Sequence, residues 1–156
     1  MVNTVSCRAR ELGESETSGR RNKMFEPQGK PVDRNEIRRM LDQKRGKMKR
    51  LLSHCVHCSL CAESCFLFMA HKKDPQYMPS YKAIQSLGTL YRKRGRVDRN
   101  FLEKIKGIIW KNCVLCRRCY CPIGIDIPSM IAFARTICRS QGVYPDMEGM
   151  PSETWL

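Results

Sequence analysis

The sequence has no long apolar run. The longest stretches, such as FLFMA at 66–70, are far shorter than the roughly 20 apolar residues of a membrane-spanning helix. The N-terminus mixes charged residues with serine and glycine and has no apolar core of a secretory signal peptide. We therefore expect a cytoplasmic protein with no membrane span, which could be peripheral only through a partner.

Acidic residues are scarce: 15 aspartates and glutamates face 29 lysines and arginines, which gives a formal net charge of +14. The whole excess of positive charge lies before Cys113. Such a surface is typical of a solvated face, of a face that binds an acidic protein, or of one that binds nucleic acid. No glycine-rich phosphate loop and no nucleophile beside an oriented base is present, so the chain is not predicted to be a catalyst by itself.

Cysteine, by contrast, is abundant, with ten residues in 156. A reducing cytosol disfavours structural disulfides, so metal binding is the preferred interpretation. The segment CVHCSLCAESC places Cys55, Cys58, Cys61 and Cys65 at the spacing of bacterial ferredoxins. Zinc is the alternative, but a zinc site usually draws its cysteines as pairs from separated segments.

A second group, CVLCRRCYCP, contains Cys113, Cys116, Cys119 and Cys121, followed by a proline. Its last step is shortened, because only Tyr120 separates the last two cysteines where three residues are usual. The two groups together predict two [4Fe-4S] clusters, and in this spacing the fourth cysteine of each group binds the other group's cluster. The predicted ligands are Cys55, Cys58, Cys61 and Cys121 for the first cluster, and Cys113, Cys116, Cys119 and Cys65 for the second.

The other candidate side chains are not predicted to be cluster ligands. Cys138 is predicted to be a small buried apolar residue and Cys7 a surface thiol. His54 and His57 flank Cys55 and could replace a thiolate, although eight cysteines already suffice. The arginines at 117 and 118 lie in the second loop, where positive charge should raise the reduction potential.

Helical periodicity is the only regular pattern, so the fold class is predicted to be all-α. Asp33 and Glu36 resemble a capping box at the start of a basic amphipathic helix that leads into Cys55. Further helices are predicted from a Ser80 cap to Leu90, from 100 to 110, and from an Asp126 cap and Pro128 to the region before Gly142.

Three regions follow from this pattern: an irregular basic arm over 1–30, a helical two-cluster domain over 31–142, and a tail over 143–156. The tail ends in Trp155 and Leu156, and it is predicted to dock onto a partner or onto its own domain.

The paired cysteine motifs, the helical segment of 47 residues between them and the stretch CPIGIDIPSMIAFAR resemble the alpha-helical ferredoxin family. That family occurs in the small iron-sulfur subunit of heterodisulfide reductases and in the iron-sulfur subunits of related dehydrogenases and reductases. The resemblance covers about residues 33–142. It implies a non-catalytic subunit that passes single electrons between larger flavin- or cluster-containing subunits of an oxidoreductase complex, as in anaerobic metabolism.

Two alternatives remain open at this point. One is the iron-sulfur subunit of a quinone-linked dehydrogenase or reductase. The other, which is less favoured, is a zinc-stabilised basic module that binds nucleic acid. The preferred interpretation has no nucleic-acid partner.

Overall fold

The computed structural model describes residues 31–145 of the chain. The predicted arm over 1–30, with Cys7, and the end of the tail, with Trp155 and Leu156, lie outside the described residues. Within 31–145 every regular element is helical and no β-strand occurs, which agrees with the all-α prediction. In this range no helix combines the length and apolar character needed to cross a bilayer.

The α-helices follow one another in short pieces. They are α1 (Arg34–Gln43), α2 (Arg45–Ser53), α3 (Leu60–Glu63), α4 (Phe66–Ala70), α5 (Pro79–Ala83), α6 (Thr89–Arg92), α7 (Arg99–Lys106) and α8 (Ile127–Ser140). A 3-10 turn at Pro75–Tyr77 precedes α5. A π-helical turn at Ile84–Gly88 joins α5 to α6, and a second at Gly107–Lys111 extends α7.

The apolar residues at helical spacing form one core. α8 contributes more of it than any other helix, and it packs against α5, α7 and both π-helical turns. The largest fully buried side chains include Ile37, Leu87, Leu90, Leu102, Ile105, Ile109, Met130, Ile131 and Ile137. Val143, the first residue of the predicted tail, is also buried in this core.

The predicted helix from Asp33 to Cys55 is two helices. The backbone leaves the helical region at Lys44 (φ −108°, ψ 10°), and the Lys44 ammonium lies 4.8 Å from the centroid of the Phe133 ring. Periodicity did not reveal this break, because the buried residues Ile37, Leu41 and Met48 keep a helical spacing across it.

The predicted capping box is only half correct. The Asp33 carboxylate accepts hydrogen bonds from the backbone N–H of Asn35 and Glu36, as an N-cap should. The reciprocal bond is replaced by Gln141, whose Oε1 accepts from the Asp33 N–H at 2.7 Å while its Nε2 donates to the Glu36 carboxylate at 3.0 Å. One buried side chain at the end of α8 therefore fixes the start of α1.

The prediction of Ser80 as a helix cap is wrong. Helix α5 begins at Pro79, one residue before Ser80, because proline fits the first turn, where a missing N–H costs nothing. Ser80 is buried inside the helix. Helix α6 ends at Arg92, and Arg94 and Gly95 after it have positive φ values of 50° and 71°. Gly95 is required there, because a Cβ atom would lie 3.0 Å from the Ile37 side chain.

Candidate metal centres

The eight predicted cysteines line two separate cavities, four in each. The first cavity is lined by Cys55, Cys58, Cys61 and Cys121. The second is lined by Cys65, Cys113, Cys116 and Cys119. Empty space measures about 480 Å³ in the first and about 380 Å³ in the second, open mouths included. The side chain of Ile127, at the start of α8, lines both cavities and separates them.

The two loops that carry the first three cysteines of each group share left-handed backbone at two equivalent positions. In the first, His57 and Ser59 have φ values of 56° and 63°; at the same places in the second, Leu115 and Arg117 have φ values of 54° and 63°. Left-handed backbone is unfavourable for residues other than glycine, and it persists where the surroundings impose it. Backbones that include left-handed residues form concavities of N–H groups around anions, iron-sulfur clusters among them.

The chain crosses from one cavity to the other twice, in two different ways. Between Cys61 and Cys65 it runs through α3, and four helical residues advance about 6 Å. Between Cys119 and Cys121 there is no helix, and two residues of fully extended backbone would advance about 6.6 Å. The shortened spacing is therefore long enough to cover a similar distance, because fully extended backbone rises about twice as far per residue as a helix.

A regular strand would point Cys119 and Cys121 to the same side. The irregular backbone between them is held by the Tyr120 N–H, which donates to Ser64 Oγ at 3.0 Å. That bond joins the two crossing segments, since Ser64 directly precedes Cys65. The side chains of Cys119 and Cys121 line different cavities.

Thiols in the second cavity are close enough to influence one another. Burial, together with the negative charges of Cys113, Cys65 and Cys116, raises the pKa of Cys119 to about 12, while the positive charge of Lys82 opposes this rise. Four thiolates in such a space repel one another unless a cationic centre lies between them.

The walls of the two cavities differ in charge. Apart from its cysteines the first is mostly apolar, with Leu51, Ile84, Ile123 and Met130 among its lining residues, and no lysine or arginine of the described chain lines it. Two cations line the second cavity: Arg117, which is exposed, and Lys82, which is only 2% exposed. Its ammonium donates to the backbone oxygen of Asn112 at 2.5 Å and lies 3.8 Å from Cys65 Sγ.

Lys82 was missed by the sequence analysis, although a signal existed. It precedes Ser86 and Leu90 by four and eight residues, so it lies on the buried face of its helix. A lysine on such a face is rarely buried without a charged partner.

A second cation, Arg135 on α8, supports the same cavity through the backbone. Its guanidinium donates from Nε and Nη2 to the carbonyl oxygen of Ile109 at 2.9 and 2.7 Å, and from Nη2 to the carbonyl oxygen of Cys113. It also stacks on Trp110, with Cζ 5.3 Å from the ring centroid. Arg135 thus caps the C-terminal end of the α7 segment and fixes the first cysteine of the second loop.

The remaining predicted residues have simpler surroundings. Cys138 is fully buried in the core, as predicted, and burial raises its pKa to about 12. His54 and His57 are exposed, and His57 lines the rim of the first cavity. Of the two arginines in the second loop, Arg117 lines the second cavity; both Arg117 and Arg118 are exposed, so solvent screens their charges in part.

Within residues 31–145, no three His, Cys, Asp or Glu side chains are placed to hold a single metal ion. The cysteines instead surround two spaces. Four thiols set among mostly apolar side chains are the donor set of a [4Fe-4S] cluster, so the residues present fit that group.

Residues 51–125 match the family model of the 4Fe-4S dicluster domain. The match supports an iron-sulfur, ferredoxin-like family and the binding of [4Fe-4S] clusters. The matched region contains all eight cysteines of the two cavities, whereas α1 and α8 lie outside it. No curated protein and no solved structure matches the chain.

Proposed function

We propose that the chain is an electron-transfer subunit that relays single electrons through two [4Fe-4S] clusters within a larger oxidoreductase complex similar to heterodisulfide reductase. The observation that carries this proposal is the sorting of eight cysteines into two cavities of four. The first cluster would be held by Cys55, Cys58, Cys61 and Cys121, and the second by Cys65, Cys113, Cys116 and Cys119. A cytoplasmic location, where thiols stay reduced, is part of the proposal.

A [4Fe-4S] cluster supplies one-electron chemistry, with no bond or proton transferred in the step itself. The chain's own residues supply the surroundings. The loops at 55–61 and 113–119 surround each cavity with sulfur, and apolar side chains from α2, α5 and α8 exclude water from the inner walls. Because the cavities share the wall at Ile127, the two clusters would be neighbours.

The mouths of the cavities suit contact with other redox subunits. Val56 and Ile123 are exposed apolar residues on the first cavity, and Phe66 and Val114 are exposed on the second. Apolar patches with a polar rim are common at protein interfaces. We therefore propose that partner subunits dock on these mouths, one at each.

A basic groove adjoins the first mouth and indicates the charge of its partner. His57 and Leu52 line both the groove and the first cavity. Asp42 is the one acidic residue among the described residues that line the groove, and none of its cations belongs to an ion pair between described residues. The groove's cations are Arg38, Arg45, Lys49, Arg92, Arg94 and Arg96. An acidic protein surface fits this groove by charge complementarity.

The cofactor proposal is tested by anaerobic purification of the full chain. We expect a brown protein with about eight irons and eight sulfides per chain. A colourless protein with stoichiometric zinc would contradict the proposal and favour the zinc module.

The basic groove is tested with small redox reagents of opposite charge. We expect substoichiometric ferricyanide to oxidise the dithionite-reduced protein faster than a cationic cobalt hexaammine does, with a rate that falls as salt is added. Arg45→Gln combined with Lys49→Gln should reduce this preference. The control, Lys104→Gln, removes an exposed charge on α7 outside the groove. Equal behaviour of the control and the groove variant would contradict the groove's role.

A further inference from the structure

The two cavities differ in one buried charge. Moving a cation from water into a protein interior costs several kcal/mol unless an opposite charge or strong hydrogen bonds compensate it. Lys82 is buried at the second cavity, and neither of the ion pairs between described residues includes it. Its ammonium has a neutral carbonyl, that of Asn112, and the sulfur of Cys65 within reach. An anionic sulfur is the partner that makes this placement favourable.

The first cavity has no counterpart. The polar residue of α5 that lines the first cavity is Ser80, two positions before Lys82, and its hydroxyl is neutral. The groove cations near this cavity are exposed to solvent. Their charges are screened, whereas a buried charge acts at a lower effective dielectric constant.

We propose that Lys82 is a positioning residue that raises the reduction potential of the second cluster above that of the first. The inference depends on the proposed function, because it assumes that both cavities hold clusters. It goes beyond that function by assigning a direction: an electron that enters at the first cavity moves to the second.

The physical reason is the sign of the charge change. One-electron reduction makes the centre and its thiolates more negative by one unit, while the donor loses one electron and no bond or proton is exchanged. A buried ammonium in contact with Cys65 Sγ stabilises the more negative state. Positive charge and hydrogen bonds to sulfur are established determinants of cluster potential.

The test is an anaerobic potentiometric titration of the full chain, followed by electron paramagnetic resonance. The signals are assigned with Cys58→Ser and Cys116→Ser, which alter the exposed second cysteine of the first and second loop. In the unaltered protein we expect the second centre to be reduced at the higher potential. A lower potential for the second centre would overturn the inference without any change at Lys82.

The side chain itself is tested by Lys82→Met and Lys82→Arg. At a fixed potential, Lys82→Met should lower the ratio of reduced to oxidised second centre about tenfold, which equals about 59 mV for one electron. The first centre should not shift. Lys82→Arg, which keeps the charge, should restore most of the ratio. The control, Lys49→Met, removes an exposed lysine of the groove and should shift neither centre.

The possible failures can be told apart. A protein without two clusters would refute the proposed function. This inference alone would be refuted if both clusters are intact and Lys82→Met either leaves both reduction potentials unchanged or shifts them equally. If Lys82→Met fails to retain the second cluster, the order of potentials in the unaltered protein and in Lys82→Arg decides the question.

Discussion

The first and second cavities are built from the same local motif and placed in different surroundings. Both loops read C-V-x-C-x-x-C, and both have left-handed backbone at their third and fifth positions. Their walls are unlike, since the first is apolar and the second contains the buried Lys82. The same short sequence motif therefore gives the same loop at two places in the chain, while residues outside the loops make the two sites chemically distinct.

We expect the largest effect from replacing Cys65 and Cys121, the two cysteines that line the other group's cavity. Cys121→Ser should remove or convert the first centre and leave the second, because Cys121 lines the cavity of Cys55. Cys65→Ser should do the reverse. Iron content and electron paramagnetic resonance of the reduced variants would measure this. Loss of the neighbouring centre in each case would contradict crossed ligation.

Arg135→Met is expected to have a smaller effect, which falls on the second centre and not on the first. The change removes the charged donor from the carbonyl oxygens of Ile109 and Cys113. Losing a charged hydrogen bond costs about 2 kcal/mol, so a chelator should extract iron from the second centre about thirtyfold faster. The control is Arg139→Met, because Arg139 also lies over Trp110 but donates to neither carbonyl. Equal acceleration at both centres would show that Arg135 acts on the whole fold.

A change beside the shared wall should weaken the fold around both sites alike. Asp126 caps α8, directly before Ile127, and accepts a hydrogen bond from the Ser129 N–H at 3.1 Å. Asp126→Ala should cost about 1 kcal/mol and lower the thermal midpoint by roughly 5 °C. Circular dichroism would measure the loss, and Asp42→Ala, which removes an exposed aspartate that caps no helix, serves as the control.

The same cap predicts a pH dependence. The hydrogen bond from the Ser129 hydroxyl holds the pKa of Asp126 below its usual value of 3.8. A lowered pKa in the folded state stabilises the fold above the unfolded pKa, and this contribution is lost as the pH falls through the folded value. The difference in thermal midpoint between the natural protein and Asp126→Ala should therefore be constant near neutral pH and vanish in acid. A difference that persists there would contradict this assignment.

The smallest effect concerns the loop backbones. Ser59 and Arg117 are exposed, occupy equivalent positions and share a φ of 63°. Replacing either by glycine should stabilise the protein by about 0.5–1 kcal/mol, since glycine adopts left-handed backbone without a steric penalty. Glycine at Val56 or Val114, which are exposed and have no positive φ, should instead destabilise it. Unequal effects at Ser59 and Arg117 would show that the loops are not equivalent.

Much of the helical fold could be predicted, because burial on one face leaves a helical period in the sequence. The helix from 100 to 110 and the Asp126 cap of α8 are confirmed. The break at Lys44 and the role of Gln141 were not predictable, because each depends on a residue about 90 or more positions away in the chain.

The candidate site likewise has one part that the sequence predicted and one part that it did not. Cysteine spacing alone predicted the two groups of four that line the cavities, since a loop must place its first three thiols around one centre. The surroundings were not predicted. Arg117, one of the two arginines expected to supply positive charge, lines the second cavity, but both arginines are exposed, and the buried charge comes from Lys82 on another segment of the chain.

The sequence by itself determined the two groups of cysteines, the two repeated loops and the helical class, because these depend on residues within one turn or one loop of each other. Only the tertiary structure decided which wall is charged, how Cys121 is directed away from the cavity beside Cys119, and where a basic groove meets the first mouth. Those properties arise from side chains that meet across the core, where burial fixes how strongly each charge acts.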